Sequence, residues 1–356
     1  MKKNQLYIFA CGCALFLSCN TDNLQKENFP EVTADFETEA MAAGTDADAA
    51  DDPAFFYNSA NPENSVIIGT DKKRGLGVYD LQGKLLFFSE VGKVNNVDIL
   101  DNFILQNDTF PLVGASNRTD KSLCFLKLNA QNQLEEIKQT VVFSRVDDVY
   151  GFCFYSNSQS NIHYAFISGK NGMVEQWKLS INNGILHPTL VRTIQIPTQV
   201  EGLVADNNTH ILYIAEEDNG VWMYDARPNE SFKPKMIQAT MPKNNSKIKD
   251  DVEGLSIYEH NNGKSYLVVS SQGNNSYALF NLANPEEYIG SFNVMDDKVD
   301  GVEETDGIHV CSKAIGNSYP KGIFIAQDGF NFDGKTKKPQ NFKVVDWRKI
   351  EKALKL

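Results

Sequence analysis

A chain of 356 residues that is 42% hydrophobic, 22% charged and 11% aromatic, with 24 Gly and 12 Pro, can bury a large core. That composition excludes wholesale disorder and collagen-like or coiled-coil organisation, while the length alone is a prior for about two domains, or for one body if the chain is all-β or repetitive. Its 34 Lys and Arg against 46 Asp and Glu give a net charge of -12, the wrong sign for holding nucleic acid, and an anionic substrate could approach only if something neutralised the field.

At the N-terminus, Lys2 and Lys3 precede an apolar run from Leu6 to Leu17. The run is too short for a bilayer core of about 30 Å, so it reads as a secretory signal over residues 1–18. It ends in Leu15-Phe16-Leu17-Ser18-Cys19, which resembles a bacterial lipoprotein cleavage box, apart from Phe16 where an aliphatic residue is usual. The expectation is an exported protein, lipid-anchored through Cys19 to the periplasmic or outer face of a bacterial membrane. Residues 19–30 then form a polar tether, and a single folded domain spans 31–356. Cys11 and Cys13 leave with the signal, and Cys124, Cys153 and Cys311 sit among alternating apolar residues, so they are expected as buried thiols without chemistry. Thr45-Asp46-Ala47-Asp48 and Glu37-Thr38-Glu39 are either solvated acids or additions to a cation site.

Past residue 50, short runs rich in Val, Ile, Tyr and Phe alternate with Gly, Asn and Asp turns, the pattern of an all-β chain. Self-similar segments recur about every fifty residues. They are Asp51-Asp52-Pro53-Ala54, Asn95-Asn96-Val97-Asp98-Ile99, Val149-Tyr150-Gly151-Phe152, Val200-Glu201-Gly202-Leu203, Val252-Glu253-Gly254-Leu255 and Thr305-Asp306-Gly307-Ile308. A strand, a turn and another strand follow each: 66–80, 112–128, 164–179, 211–224, 266–280 and 323–347. Such a unit cannot bury both faces alone, so the reading is a six-bladed β-propeller of four-stranded antiparallel blades around a central channel, with terminal segments completing one blade. A pair of β-sandwiches is the alternative.

The first strand of each propeller blade lines the channel, which would gather Asp51, Asp52, Asn95, Asp98, Tyr150, Glu201, Glu253 and Asp306 at one mouth, joined by Asp251 and Asp300. Like charges about 5 Å apart repel by roughly 1 to 3 kcal/mol per pair. Carboxylates and Asn oxygens without converging His or Cys select hard divalent ions, Ca²⁺ above all. The plainer reading is that blade-start acids bond backbone N–H groups of the next blade. The turn segments add a second set: Asp71-Lys72-Lys73-Arg74-Gly75, Ser116-Asn117-Arg118, Gly169-Lys170-Asn171-Gly172, Glu216-Glu217-Asp218 and Gln272-Gly273-Asn274-Asn275. Lys72, Arg118 and Lys170 stand at equivalent points of three consecutive units, where a cation beside metal ions suits phosphate.

These segments together resemble the β-propeller phytases, calcium-dependent secreted bacterial phosphatases acting on myo-inositol hexakisphosphate. The resemblance runs from Thr33 to Trp347. It rests on Asp-Ala-Ala-Asp-Asp-Pro-Ala at 48–54, Gly-Thr-Asp-Lys-Lys at 69–73, Ala-Ser-Asn-Arg at 115–118, Tyr-Ile-Ala-Glu-Glu-Asp at 213–218, Asp-Val-Glu-Gly-Leu at 251–255, Ser-Ser-Gln-Gly-Asn at 270–274 and Ala-Gln-Asp-Gly at 326–329, besides the repeated segments. It implies a 3-phytase-like monoester hydrolase with several Ca²⁺ ions, working as a monomer on phytate (as its calcium salt) or other inositol polyphosphates. By the same resemblance Asp51, Glu201, Glu217, Asp251, Glu253 and Asp300 match catalytic calcium positions. Asp52, Asp98, Asp306 and Glu37 look like structural calcium residues. Lys72, Arg118, Tyr150 and Lys170 match phosphate-contacting positions, with Lys73, Asn95 and Gln272 as further substrate contacts. The implied mechanism is direct attack by a metal-activated water, without a covalent intermediate. Glu304 and His309 stand where the family often has Asp, and Phe55-Phe56 replaces an aliphatic-Trp pair. The competing functions are a non-catalytic surface propeller that binds a ligand and a metal-dependent lactonase on a similar scaffold.

Overall fold

The computed structural model describes residues 28–230, 232–260 and 264–356; the signal segment, Cys19 and most of the tether lie outside them. Six four-stranded antiparallel units arise where the sequence repeats. Blade 1 comprises Ala50–Phe56, Val66–Asp71, Gly75–Tyr79 and Leu85–Ser89, and blade 2 comprises Val94–Leu105, Asp108–Asn117, Ser122–Leu128 and Leu134–Glu136. Blade 3 uses Val149–Asn157, Ile162–Gly169, Met173–Asn182 and Ile185–Gln195; blade 4 uses Val200–Asp206, Ile211–Glu216, Gly220–Asp225 and Lys235–Met236. In blade 5, Val252–Tyr258, Tyr266–Ser271, Ser276–Asn281 and Tyr288–Met295 are joined by Glu31–Thr33, which pairs in parallel with the outer strand. Blade 6 takes Ile308–Cys311, Ile323–Asp328 and Asn341–Asp346 from the C-terminal end of the chain and Phe36–Glu37 from the N-terminal part. The fold is a six-bladed β-propeller, closed by that shared blade.

Each blade buries its faces against its neighbours, and six separate apolar clusters occupy the six interfaces. Phe55 packs between blades 6 and 1 and Phe56 leans on the cluster between blades 1 and 2, so the aromatic pair fills core space on both faces of one strand. The helix Trp347–Leu354 seals blades 5 and 6: Trp347 stacks on Tyr258 with ring centroids 3.9 Å apart. Its N-cap is Asp346, whose carboxylate accepts the Arg348 N–H. Sequence periodicity did not announce so short a helix. Cys124, Cys153 and Cys311 are free thiols, and burial raises the pKa of all three, so they pack as apolar side chains. No helix among the described residues is long and apolar enough to cross a membrane.

The recurring glycine has a steric cause. A Cβ on Gly151 would lie 1.8 Å from the Glu201 carbonyl oxygen, one on Gly202 1.9 Å from that of Glu253, and one on Gly254 2.7 Å from that of Asp306. Inner strands of adjacent blades touch backbone to backbone there. Gly254 N–H bonds Asp306 O and Gly307 N–H bonds Asp51 O, both at 3.0 Å. The inner strands of blades 1 to 5 also carry a register irregularity at this level, between Ala50 and Pro53, Val94 and Val97, Val149 and Phe152, Val200 and Leu203, and Val252 and Leu255. Such bulges re-aim side chains.

Candidate active site

Two equivalent positions in each blade build the channel mouth. The first lies in the inner-strand bulge and supplies Asp51, Asn95, Tyr150, Glu201, Glu253 and, before Gly307, Asp306. The second follows the second strand and supplies Lys72, Arg118, Lys170, Glu217 and Gln272. Their backbones are held alike: these N–H groups bond the carbonyls of Ala49, Lys93, Asp148, Gln199 and Asp251, each at the start of its own blade. The corresponding residue of blade 6 is Gly329, whose N–H bonds Glu303 O at 2.8 Å. One geometric slot therefore carries cations in blades 1 to 3, an acid in blade 4, an amide in blade 5 and no side chain in blade 6.

Lys72 is almost buried, with its Nζ 2.5 Å from Asp48 and 2.9 Å from both Asp51 and Asp306. Burial works against its charge, but the three carboxylates outweigh it and hold the ammonium pKa above the usual value. Asn95 is fully buried and acts as a hub: its Nδ2 donates to Asp51 Oδ2 at 2.7 Å and to Glu201 Oε1 at 3.1 Å, while its Oδ1 accepts from Arg118 at 3.1 Å. Arg118 also lies 3.4 Å from Asp148. Lys170 Nζ sits 4.6 Å from the centroid of the Tyr150 ring, and the Arg118 guanidinium carbon 6.0 Å. Burial, then the charges of Glu201, Asp51, Glu253 and Asp306, hold the Tyr150 phenol protonated well past its ordinary range. Gln272 donates to Asp306 Oδ1 at 2.7 Å.

The acids crowd on the other side. Carboxylate oxygens of Glu201, Glu217 and Glu253 all lie within 4.8 Å of one another. Burial first, and then neighbouring carboxylates, raises the pKa of Glu201 and Glu253; burial raises that of Glu217, and it lifts Asp51 to about 7 against the pull of Lys72. Glu201 Oε2 and Glu253 Oε2 are buried without a hydrogen-bond partner. Orphaned, converging carboxylate oxygens in an all-oxygen set are the donor chemistry of a hard divalent cation, so these residues fit calcium. A cavity of about 390 Å³ opens above, lined among others by Asp48, Lys72, Tyr150, Glu253, Gln272 and Asp306.

A family description for phytases matches residues 8–355. The chain belongs to the phytase family. It is also 38% identical over 362 aligned positions to a curated 3-phytase of Bacillus subtilis (strain 168), covering 99% of this chain and 94% of that protein.

Several residues expected at the mouth of this phytase-family enzyme lie elsewhere. Asp52 faces blade 2, where its Oδ2 accepts the Val97 N–H at 3.0 Å, and Asp98 accepts the Phe154 N–H of blade 3 and its own neighbour Ile99 N–H, both at 2.7 Å. For these two, backbone latching between blades is what the geometry displays. Asp300 joins a separate cluster: Lys343, with no exposed side-chain surface, lies 2.5 Å from Glu37 and from Asp300 and 3.2 Å from Asp328, and Asn331 accepts from it at 3.0 Å. Asp251 adopts φ 62° at the edge of the acidic half, and burial followed by Asp218 and Asp250 raises its pKa. Lys73 is exposed on the turn beside Lys72. Glu304, with φ 52°, lines the cavity, while His309 is half-buried on the blade 6 inner strand, where desolvation lowers its pKa to about 4.

The structure also brings in residues the repeat did not single out. Asp48 closes on Lys72. Gln327 is fully buried, accepts the Asp306 N–H at 2.9 Å and donates to Ala50 O at 3.3 Å, tying blade 6 to blade 1 beneath the site. Gln199 donates to Glu217 at 2.7 Å, and Asp148 flanks Arg118. Gln327 stood in the Ala-Gln-Asp-Gly segment; the others carried no periodic signal.

Proposed function

We propose that this protein is a calcium-dependent phosphomonoester hydrolase that releases phosphate from myo-inositol hexakisphosphate. The observation that carries this reading is the divided mouth: one structural slot holds Lys72, Arg118 and Lys170 over three consecutive blades, facing a carboxylate cluster with orphaned oxygens. The name of the Bacillus subtilis relative agrees with it.

Glu201, Glu217, Glu253, Asp51 and Asp306 would hold the calcium ions. Bound calcium would supply positive charge for phosphoryl oxygens and lower the pKa of an attacking water. The chain's own residues do the rest. Lys72, Arg118 and Lys170 present charged donors to an equatorial phosphate, and those donors serve the transition state best because they are already fixed by Asp51, Asn95 and the Tyr150 ring. Tyr150, kept as a neutral phenol, donates a hydrogen bond without adding negative charge. Among the described residues no His or Cys lines the cavity, which suits direct displacement at phosphorus. We further propose export and attachment to the membrane through Cys19, which fatty-acid labelling of the wild type and C19A would test.

The deciding experiment is phosphate release from inositol hexakisphosphate by the purified chain with calcium, with a chelator, and with calcium restored, alongside K72M, R118A and K170A. The expected result is activity lost on chelation, recovered on calcium, and reduced about 100-fold or more by each substitution. Undiminished activity in chelator would overturn the metal dependence. Turnover of lactones in place of phosphate esters, or unchanged ligand binding in all three variants, would favour the lactonase or the neutral-ligand propeller.

A further inference from the structure

We infer that Ser168 is a positioning residue that holds the phosphate-facing and the metal-fitting halves of the mouth in one register; the inference rests on the reading above. Two residues before the slot that carries Lys72, Arg118 and Lys170, the second strands of the six blades place Thr70, Ser116, Ser168, Ala215, Ser270 and Gln327, all fully buried. The inner-strand bulges account for the polar ones. Where the ladder of blade 3 skips from Val149 to Phe152, the Gly151 N–H loses its place in it and needs another acceptor. Ser168 Oγ accepts that N–H at 2.9 Å and donates to Val200 O of the next blade at 3.0 Å. A hydroxyl has a single proton, so its donor is fully used there.

The chain neighbours of those atoms give the bridge its role. Gly151 follows Tyr150, Val200 precedes Glu201, and Ser168 lies two residues from Lys170 on the same strand. The three also meet in space: a Cβ on Gly151 would lie 1.8 Å from Glu201 O and 2.7 Å from Ser168 Oγ. Tyr150 and Lys170 stand in the cationic sector, with Lys170 Nζ 4.6 Å from the ring centroid, while Glu201 belongs to the carboxylate cluster. Neighbouring bridges stay within one half. Ser116 Oγ accepts the Asn96 N–H at 3.1 Å and donates to Tyr150 O, both on the phosphate side, whereas Gln327 joins the strands of Asp306 and Asp51. Ser168 crosses the boundary, so a shift of the Glu201 strand toward a bound cation is passed to the strand that carries Tyr150.

Two other hydroxyls separate this role from ordinary seam-holding. Ser256, three residues along the inner strand from Glu253 and also buried, accepts the Val310 N–H of blade 6 at 2.9 Å, a latch of the same kind away from the mouth. Thr70 fills the Ser168 position in blade 1, where its Oγ1 accepts the Asp52 N–H at 2.8 Å, so the position admits a threonine without losing the bond.

The test compares wild type, S168A, S168T and S256A by calorimetric calcium titration, thermal melts and steady-state hydrolysis of inositol hexakisphosphate. Both alanine variants strip a buried hydroxyl from a blade seam and should lower Tm alike, by about 1.5 to 4 °C. Expected for S168A but not S256A are a calcium Kd raised about five-fold and a kcat lowered about ten-fold with KM changed less, because displaced groups lose contacts made in the transition state; S168T should restore both. If Ser168 only holds its seam together, S168A and S256A will match in calcium affinity and kcat, and the inference falls. It falls too if S168T melts like wild type yet restores neither. Should S168A be too unstable to assay, S168C, a weak donor of nearly equal size, takes its place under the same expectations. Should the wild type not hydrolyse the hexakisphosphate, the parent reading fails and the calcium titration still decides: weaker binding to S168A than to S256A supports the bridge, and equal binding overturns it. A wild type that binds no calcium overturns both readings.

Discussion

Glu201→Gln should have opposite consequences with and without calcium. Glu201 is buried, shares an oxygen cluster with Glu217 and Glu253 within 4.8 Å, and keeps one oxygen unpartnered. At that separation and an effective dielectric of about 20, each fully ionised pair repels by about 3.5 kcal/mol. Burial already raises the pKa of all three acids, so protons relieve part of that cost, and the amide should stabilise the metal-free protein by on the order of 1 to 3 kcal/mol at pH 8. An entropy of unfolding near 2.1 cal/mol/K per residue over roughly 330 residues makes that a rise in Tm of about 1.5 to 4 °C. Glutamine still accepts from Asn95, so no donor is orphaned. In calcium the order reverses. An ion at 100 times its Kd adds about 2.7 kcal/mol, near 4 °C, to the wild type, and the variant should lose most of that gain. Calorimetric melts in chelator and across a calcium series measure both. A variant less stable than wild type in chelator that still keeps the full calcium gain would refute the assignment of this cluster as a cation site.

Lys343→Met strips from the Glu37, Asp300 and Asp328 cluster the ammonium that pairs with all three; breaking so buried a group should cost about 3 to 5 kcal/mol, read as a melt lowered by about 4 to 7 °C, and a loss under 1 kcal/mol would contradict it. Gly202→Ala drives a Cβ to 1.9 Å from the Glu253 carbonyl, so the blade 4 and 5 strands must part, with an expected loss of about 1 to 3 kcal/mol and a weakened calcium response in the same melts. Burial lowers the pKa of His309 from an ordinary 6.5 to about 4 in the folded protein. The unfolded chain therefore binds the proton first, and stability falls as pH drops from 6.5 to 4 by up to about 3 kcal/mol. H309Q should remove that slope, visible in the difference between wild-type and variant profiles, where the opposite titrations of Asp98 and Asp328 cancel. An identical slope in H309Q would exclude His309 as its source.

The ring of blades was legible because its periodicity is enforced by contact. Gly151, Gly202 and Gly254 recur because neighbouring backbones leave no room for a Cβ, and Glu201 and Glu253 recur beside them because the bulge turns those side chains into the mouth. The same repeat hid a distinction. Asp51 and Asp52 are adjacent in sequence, yet the strand alternates, so one carboxylate meets Lys72 and the other the Val97 amide of the next blade. Residues that break the repeat were less legible: the segment Thr45-Asp46-Ala47-Asp48 stood open between solvated acids and additions to a cation site, and Lys337 carried no signal. Asp48 and Lys337 reach the cavity from a turn before the first blade and from a hairpin inserted in the last, the two places where ring closure brings distant segments together. Repetition shaped the calcium-fitting half of the mouth, and the departures from repetition shaped the wall facing it, which is where differences in substrate choice between propellers of equal blade number have room to arise.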